Sequence, residues 1–417
     1  MRLAGKSFVE KLAATPWWRD FGSIAVLALI IFAVLPLSLD LFRLNLVGKY
    51  LTYAFVAVGL VLCWGYGGIL SLGQGVFFGL GGYCMAMFLK LEASDPVSTK
   101  IQSTPGIPDF MDSNQLTALP AFWEPFKSFA FTLIAIPLVP GAMALVIGLA
   151  MFKRRVGGVY FAIMTQTLAA ILSILIIGQQ GYTGGVNGIT DLKTLHGWDI
   201  RTDHAKYVLY YINGILLIGT VVLGRLVLNT KFGKLLLALR DKEERVRFSG
   251  YDVANFKIFV FCLAAMLSAI GGAMFTLQVG FMSPSFVGIV PSIEMVIFTA
   301  VGGRLSLVGA VYGSLLVNYG KSYFSETFPQ LWLFSWAGCL SRWSCCFRPV
   351  SPVSPPSFGP GAQGRLERPG WPARGQCRSA LRTVRRDQRP ARRQTPREAS
   401  HDGQSDGSRD RGLECIF

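Results

Sequence analysis

Charged side chains are scarce in this chain. Asp, Glu, Lys and Arg make up 15% of its 417 residues, where a soluble globular protein carries about a quarter. That shortage excludes an ordinary water-soluble domain. Histidine is rarer still: His196, His204 and His401 are the whole supply, and no His/Glu cluster accompanies them. A metal centre has no ligand set to draw on, and no catalytic pair is apparent. The eight cysteines show no paired spacing, and five of them follow Phe334, so neither a disulfide framework nor a zinc site is expected. The first apolar run, 21–41, lacks a small-residue cleavage site and reads as a retained span, not a leader.

What is present is apolar. Hydrophobic residues are 52% of the chain, and 30 of the residues are Phe. Runs of about 20 apolar residues match the thickness of a bilayer as helices, and a helix pairs its own backbone polar groups. The expected fold class is therefore all-α, a polytopic transmembrane helical bundle. The expected spans are 21–41, 50–64, 75–90, 128–150, 157–178, 207–227, 256–279 and 292–318. Two of these boundaries carry interruptions. Gly65–Gly75 (GYGGILSLGQG) reads either as a broken or re-entrant segment at membrane depth or as close helix packing through small residues. Gly302-Gly303-Arg304 offers a point at which the last run splits into two half-helices.

Charge placement orients the chain. Lys6, Lys11 and Arg19 precede the first span, Lys153, Arg154 and Arg155 follow the fourth, and six basic residues from Lys231 to Arg247 follow the sixth. Alternation puts all three clusters on one face, the cytoplasmic one by the positive-inside rule, with residues 1–20 as a cytoplasmic N-terminus. The loops 91–127 and 179–206 fall on the other face.

Three polar, Gly-rich segments border the spans: Ser71–Gly75, Gly181–Asp191 (GYTGGVNGITD) and Ala300–Gly313. Glycine lets backbone amides and carbonyls approach a small polar solute. Candidate residues for a translocation path are Ser71, Gln74, Gly75, Thr183, Gly184, Gly185, Asn187, Gly302 and Gly303; each glycine on its own serves a turn or a helix contact equally well. Glu294, near the start of an apolar run, reads as a solvated or helix-N-terminal acid. A phosphate loop fails: Gly320-Lys321-Ser322 resembles its end, but Leu315 stands where the earlier glycine belongs. No nucleotide site is expected, and ATP, if used, binds another subunit.

The segment 228–256 carries six basic and four acidic residues between two apolar runs. Phe232, Leu235, Leu236 and Leu239 give it a helical apolar pattern, and Gly250 supplies a helix end tolerant of a left-handed conformation. It reads either as a solvated linker or as an amphipathic helix offered to a soluble partner.

These residues together resemble a known family, the integral permease subunits of ABC importers of the branched-chain amino-acid type. The likeness covers roughly residues 45–334 and rests on GYGGILSLGQGVFFGLGGY, GVYFAIMTQ, TGGVNGITD, FGKLLLALRDKEERVRFSGYDVANFKIFVF, Ser-Ala-Ile-Gly-Gly-Ala at 268–273, and SIEMVIFTAVGGRLSLVGAVYGSLLVNYGKSYF. Within the family the chain is most similar to urea permeases of the second-permease type, through IPDFM at 107–111, LTALPAFWEPF at 116–126, RVRFSGYD at 245–252 and FPQLWLF at 328–334. The turn at Arg304-Leu305-Ser306 departs from the Gly-Arg-Gly-Thr usual in relatives.

The resemblance implies a multi-pass bacterial inner-membrane protein. Its implied partners are a homologous first permease, cytoplasmic ATPase subunits that use ATP and Mg, a periplasmic solute-binding protein and membrane lipid, with no nucleic acid. It implies that 228–256 holds the coupling helix, with Phe232, Leu236 and Leu239 as apolar contacts to the ATPase and Arg240, Glu244, Arg247 and Tyr251 as polar ones, ended by Gly250. A branched-chain amino-acid or short-amide permease is the alternative substrate reading. A stand-alone urea channel is physically possible but has no use for an ATPase dock.

Residues 335–417 differ in kind. They hold 15 Arg and no Lys against 7 acids, with abundant Pro and Gly, where relatives continue into a last apolar span. This region reads either as a disordered basic arm or as the product of a shifted reading frame in GC-rich DNA. In the frame made from the third base of each codon and the first two of the next, Trp336-Ala337 is forced to Gly, Cys345-Cys346 to Leu, and Cys346-Phe347 to Leu or Phe. We expect the DNA at these codons to spell an apolar span ending in Pro-Thr-Gly-Leu-Ala-Gly when read in that frame. Sequencing the gene around codon 334 checks this, and any other spelling makes the tail native.

Overall fold

The computed structural model describes residues 16–94 and 104–327; the expected tail, 335–417, lies outside them. The first helix, α1, is Pro16–Leu29, carried on by a π turn (Ile30–Val34) and a final turn, Leu35–Ser38. Its apolar part, Gly22–Ser38, is shorter than the spans that follow, so the expected span 21–41 is met only in part.

Among the described residues six helices are long and apolar enough to cross a membrane. They are α2 (Leu41–Leu60, prolonged by π-helical Val61–Tyr66), α3 (Gln74–Ala93), α4 (Phe129–Phe152), α5 (Gly158–Gly178), α6 (Asp203–Asn229) and, after two short amphipathic helices α7 (Lys231–Asp241) and α8 (Glu243–Phe248), α9 (Val253–Val279). The run 292–318 is split at the expected glycines into two helices, α10 (Ile289–Gly302) and α11 (Leu307–Thr327), meeting at 120°. Gly303, at φ +94°, makes the reversal, and Ser306 starts α11 by accepting from the Gly309 N–H at 3.0 Å.

The bundle is built around α2 and α9. Most of α2's apolar stretch, 89%, is buried within the chain, against 28% for α5. Hydrocarbon surroundings give little hydrophobic force between helices, so close van der Waals contact must hold them. The small residues 268–273 of α9 allow it. A side chain at Gly272 would collide with the Phe78 carbonyl of α3, and one at Gly81 with the Ala269 carbonyl; at Gly271 a Cβ would come within 2.7 Å of the Thr52 carbonyl. Around this contact Tyr53, Phe78, Phe275 and Phe298 pack with ring centroids 5.4–5.8 Å apart.

Ring contacts also fix which loops share an end. Phe152, closing α4, meets Phe261 of α9 at 6.2 Å, and Arg240 of α7 reaches Gly65 at the end of α2. The basic turn Lys153–Arg155 thus lies at the same end as the charged segment 228–256, as the charge pattern requires. The opposite end gathers the loops around 104–127 and 179–202: Trp123 donates to the Tyr182 carbonyl (3.1 Å) and the Gly197 N–H to Glu92 (2.7 Å). Glu294 is partly exposed near the start of α10, and it crosses the α10–α11 hairpin to pair with Lys321 at 2.7 Å.

Replacing Gly272 with Leu forces α3 and α9 apart and should cost about 3 kcal/mol, the upper range for overpacking. Gly219→Leu, where nothing lies within 4 Å, should leave stability unchanged. Thermal unfolding of the two purified variants checks this.

Candidate functional site

The α2–α3 connection is the most irregular part of the bundle. After the π-helical stretch the Gly67 N–H returns to the Leu62 carbonyl (3.0 Å) and the Ile69 N–H to the Cys63 carbonyl (3.0 Å). The chain then unwinds through Gly68, at φ +69°, until α3 begins at Gln74. Of the two sequence readings of Gly65–Gly75, the broken segment is the one formed, and small-residue packing makes room for it. A side chain at Gly73 would strike the Thr165 carbonyl, and one at Gly75 the Ser292 hydroxyl.

The unwound backbone meets hydroxyls from three other helices. The Leu72 N–H donates to Thr165 Oγ1 of α5 at 3.1 Å, the Gly75 N–H to Ser292 Oγ of α10 at 3.1 Å, and Ser268 Oγ of α9 to Gln74 Oε1 at 3.0 Å. Ser71, Gln74, Ser268 and Ser292 are fully buried and Thr165 nearly so. Two polar atoms stay without a partner, Ser71 Oγ and Gln74 Nε2. Buried polar groups are almost always hydrogen-bonded, so this pair stands out as an exception inside the bundle. The cluster is uncharged throughout.

The other two glycine segments do not join it. Thr183 Oγ1 donates to the Ile176 (2.7 Å) and Gln179 (2.9 Å) carbonyls, closing the end of α5. Gly184 and Gly185 hold φ of +82° and +59°. Gly188 lies against the Met282 carbonyl, and Ile189 pairs with Met282 in both directions at 2.9 Å. Asn187 is exposed. Gly302 packs against the Gly309 carbonyl, and beside this turn Tyr66 Oη donates to the Leu305 carbonyl (2.8 Å) while Arg304 stands 6.0 Å from the Trp64 ring. The structure places the three segments apart: Ser71, Gln74 and Gly75 lie together in the buried cluster, Thr183–Asn187 lie at the far end beside the close of α5, and Gly302–Gly303 shape the α10–α11 turn. At the far end, Lys193, with Arg201, holds the Asp191 carboxyl below the usual carboxylate range.

Thr165, Ser268 and Ser292 were missed as site residues. Their signal was a lone hydroxyl in an apolar run, which a helix also tolerates by bonding its own carbonyls; Ser268 does that as well, to Ala264 at 2.8 Å.

In the charged segment the sequence assigned the wrong direction to the apolar stripe. Leu236 is fully buried and Leu239 nearly so, both against the chain itself. Phe232 packs on Phe256 and Phe259 at 5.7 and 5.0 Å. What turns outward is Leu237, Phe248 (91% exposed) and Tyr251, together with exposed Glu244 and Arg247. An amphipathic helix has one apolar face, and its own bundle claims it first. Gly250, at φ +85°, does end α8. Glu243 bonds Arg247 (3.4 Å) and Lys257 (2.8 Å), pinning α8 to α9. Arg240 is half-buried and donates to the Gly65 carbonyl at 3.0 Å, while its Cγ lies against Gly68. One side chain thus joins the surface helix to the break that leads to Ser71 and Gln74.

A polytopic helical bundle with a broken span, an occluded uncharged polar site and a surface helix tied to that break defines a membrane permease. The chain belongs to the family "Branched-chain amino acid transport system / permease component", which matches residues 42–338. It is similar to the high-affinity branched-chain amino acid transport system permease protein LivM of Salmonella typhimurium and to that of Escherichia coli, each 24% identical over 316 residues, covering 70% of this chain and 66% of the relative. It is also 28% identical over 185 residues to the ribose import permease protein RbsC of Bacillus subtilis, covering 41% of this chain and 52% of that one. The chain thus spans just under two thirds of the LivM relatives. No solved structure matches it.

Arg240→Ala removes the donor to the Gly65 carbonyl. Amide hydrogen exchange over 67–73 should quicken about tenfold, the equivalent of one lost charge-assisted hydrogen bond, with the 183–189 segment unchanged. Unchanged exchange over 67–73 would remove the link between surface helix and break.

Proposed function

We propose that the chain is a permease subunit of an ATP-driven importer of the inner membrane, and that it forms with a homologous partner permease the path for urea. The observation that carries this reading is the buried, uncharged cluster at the helix break, with Ser71 Oγ and Gln74 Nε2 unpartnered. Urea is small and neutral and both donates and accepts hydrogen bonds. A site for it needs hydroxyls and amides and no ion pair. The carboxylate and ammonium of an amino acid would enter the same cluster without a counter-ion, at a high desolvation cost. A branched-chain amino-acid or short-amide permease remains the second reading, favoured by the names of the relatives.

Energy coupling would run through α7 and α8. A partner ATPase would seat the outward face, Leu237, Phe248 and Tyr251 with Glu244 and Arg247, in a groove; helix-in-groove contacts of this kind rest on a few apolar anchors. A solute-binding protein would approach the opposite end. A stand-alone channel would leave this exposed aromatic face unexplained.

The test is a complex of this chain with its partner permease, ATPase and binding protein, reconstituted in liposomes. Gln74→Leu should lower ATP-driven urea uptake about tenfold, the loss expected for a buried hydrogen bond made in transit, while ATPase co-purification persists. Leu237→Asp combined with Phe248→Asp should abolish co-purification. Uptake of leucine but not urea by the unsubstituted complex would transfer the reading to the amino-acid permease, and full urea uptake by Gln74→Leu would return that cluster to a structural role.

A further inference from the structure

At the end of the bundle away from α7, the start of α2, the start of α6 and the end of α9 enclose a recess of about 510 Å³. Its rim carries Asp191, Arg201 and Lys206. These charges are already answered: Asp191 pairs with Arg201 and with Lys193, and Lys206 with Asp203 at 3.1 Å. The floor is not. Gln278, 7% exposed, donates through Nε2 to Asn45 Oδ1 at 2.5 Å, and its Oε1 has no partner. Behind the floor and not lining the recess, fully buried Asn213 donates to the Gly48 carbonyl at 2.8 Å and leaves its own Oδ1 unpartnered. Gly48 brings the two amides together, since a Cβ there would lie 2.6 Å from Gln278 Nε2. Each of these side-chain amides gives one N–H to the bundle and keeps an open carbonyl oxygen.

Folded proteins seldom leave buried acceptors open unless a water or a ligand completes them. We propose that this recess is a second solute site, an outer vestibule for a small neutral molecule with N–H donors, a primary amide or urea, bound through Gln278 Oε1. The proposal rests on the permease reading above and adds a place where the solute waits before the inner site. Its chemistry is selective. A solute N–H completes the open Gln278 oxygen, whereas a carboxylate would set an anion beside that acceptor. The inner cluster is complementary: its unpartnered atoms, Gln74 Nε2 and Ser71 Oγ, can donate. A solute with both N–H and C=O groups suits each site through a different end.

The test reads occupancy apart from transport. In the purified complex, Thr190, exposed on the recess wall, is replaced by Cys and alkylated with a water-soluble maleimide, labelling being measured at that residue by peptide mass spectrometry. Urea and acetamide should each slow labelling, and leucine should not. Adding Gln278→Met, which keeps the bulk and removes the acceptor, should abolish the protection. Gln278→Glu, which keeps acceptors, should retain it. In uptake, Gln278→Met should raise the apparent KM about fivefold with maximal rate preserved, the loss of one solute hydrogen bond in binding alone. No protection by either amide, protection by leucine alone, or protection that survives Gln278→Met overturns the proposal. Protection without any urea or amide import leaves the vestibule standing and sinks the transport reading; import without protection does the reverse.

Discussion

The structure depends on one costly feature, a stretch of unwound backbone held inside an apolar bundle. Residues 67–73 give up regular helical hydrogen bonds beside a buried apolar core, and each backbone group left open and buried there costs free energy comparable to a lost hydrogen bond. The neighbouring helices are arranged to offset that cost. Thr165 and Ser292 accept from the Leu72 and Gly75 amides, and Arg240 covers the Gly65 carbonyl. Glycine at 73 and 75 is what lets α5 and α10 come near enough to do it. Take away the break, and α5, α10 and α7 lose their shared reason for being where they are.

The same scarcity of polar groups explains why so much of the rest is glycine. With no hydrophobic force to draw helices together in lipid, contact must be made at backbone distance. Gly81, Gly271 and Gly272 bring α2, α3 and α9 to that distance, and aromatic rings fill the remaining space. The result is asymmetric. α2, α3 and α9 are nearly all interior, while α4 and α5 present apolar flanks such as Ile163, Ile171 and Ile174 outward. Those flanks suit lipid or a partner permease, and they need no polar group from this chain.

Much of this was legible in the sequence because it follows from composition and period. Run length gave the helices, the lysines and arginines gave the sharing of ends, and Gly65–Gly75 gave the break. The family likeness over residues 45–334 agrees with the matched range 42–338. What was illegible concerned direction. Leu236 and Leu239 have the same spacing whether they meet a partner or their own bundle, and only the packing of α7 on α9 settles it. Thr183 looked like a path residue because its hydroxyl sits among glycines, yet its one O–H is shared by two carbonyls of the helix end beside it. The hairpin at 303–306 was legible as glycine and illegible as an angle, since nothing in Gly302-Gly303 encodes 120°.

The link between surface and interior is short enough to be argued physically. Arg240 touches both the Gly65 carbonyl and Gly68, and six residues later Gln74 holds Ser268. The two ends of that path, Gly65 and Gln74, flank the irregular residues 67–73 on the last turn of α2 and the first of α3. The contact from α7 thus falls on the irregular connection and not on the regular parts of α2 and α3. A straight helix through 61–74 would place the same contact on two packed spans. In this bundle, then, one break carries two sets of contacts, Gly65 and Gly68 meeting Arg240 of the surface helix and Gly73 and Gly75 meeting the buried hydroxyl cluster.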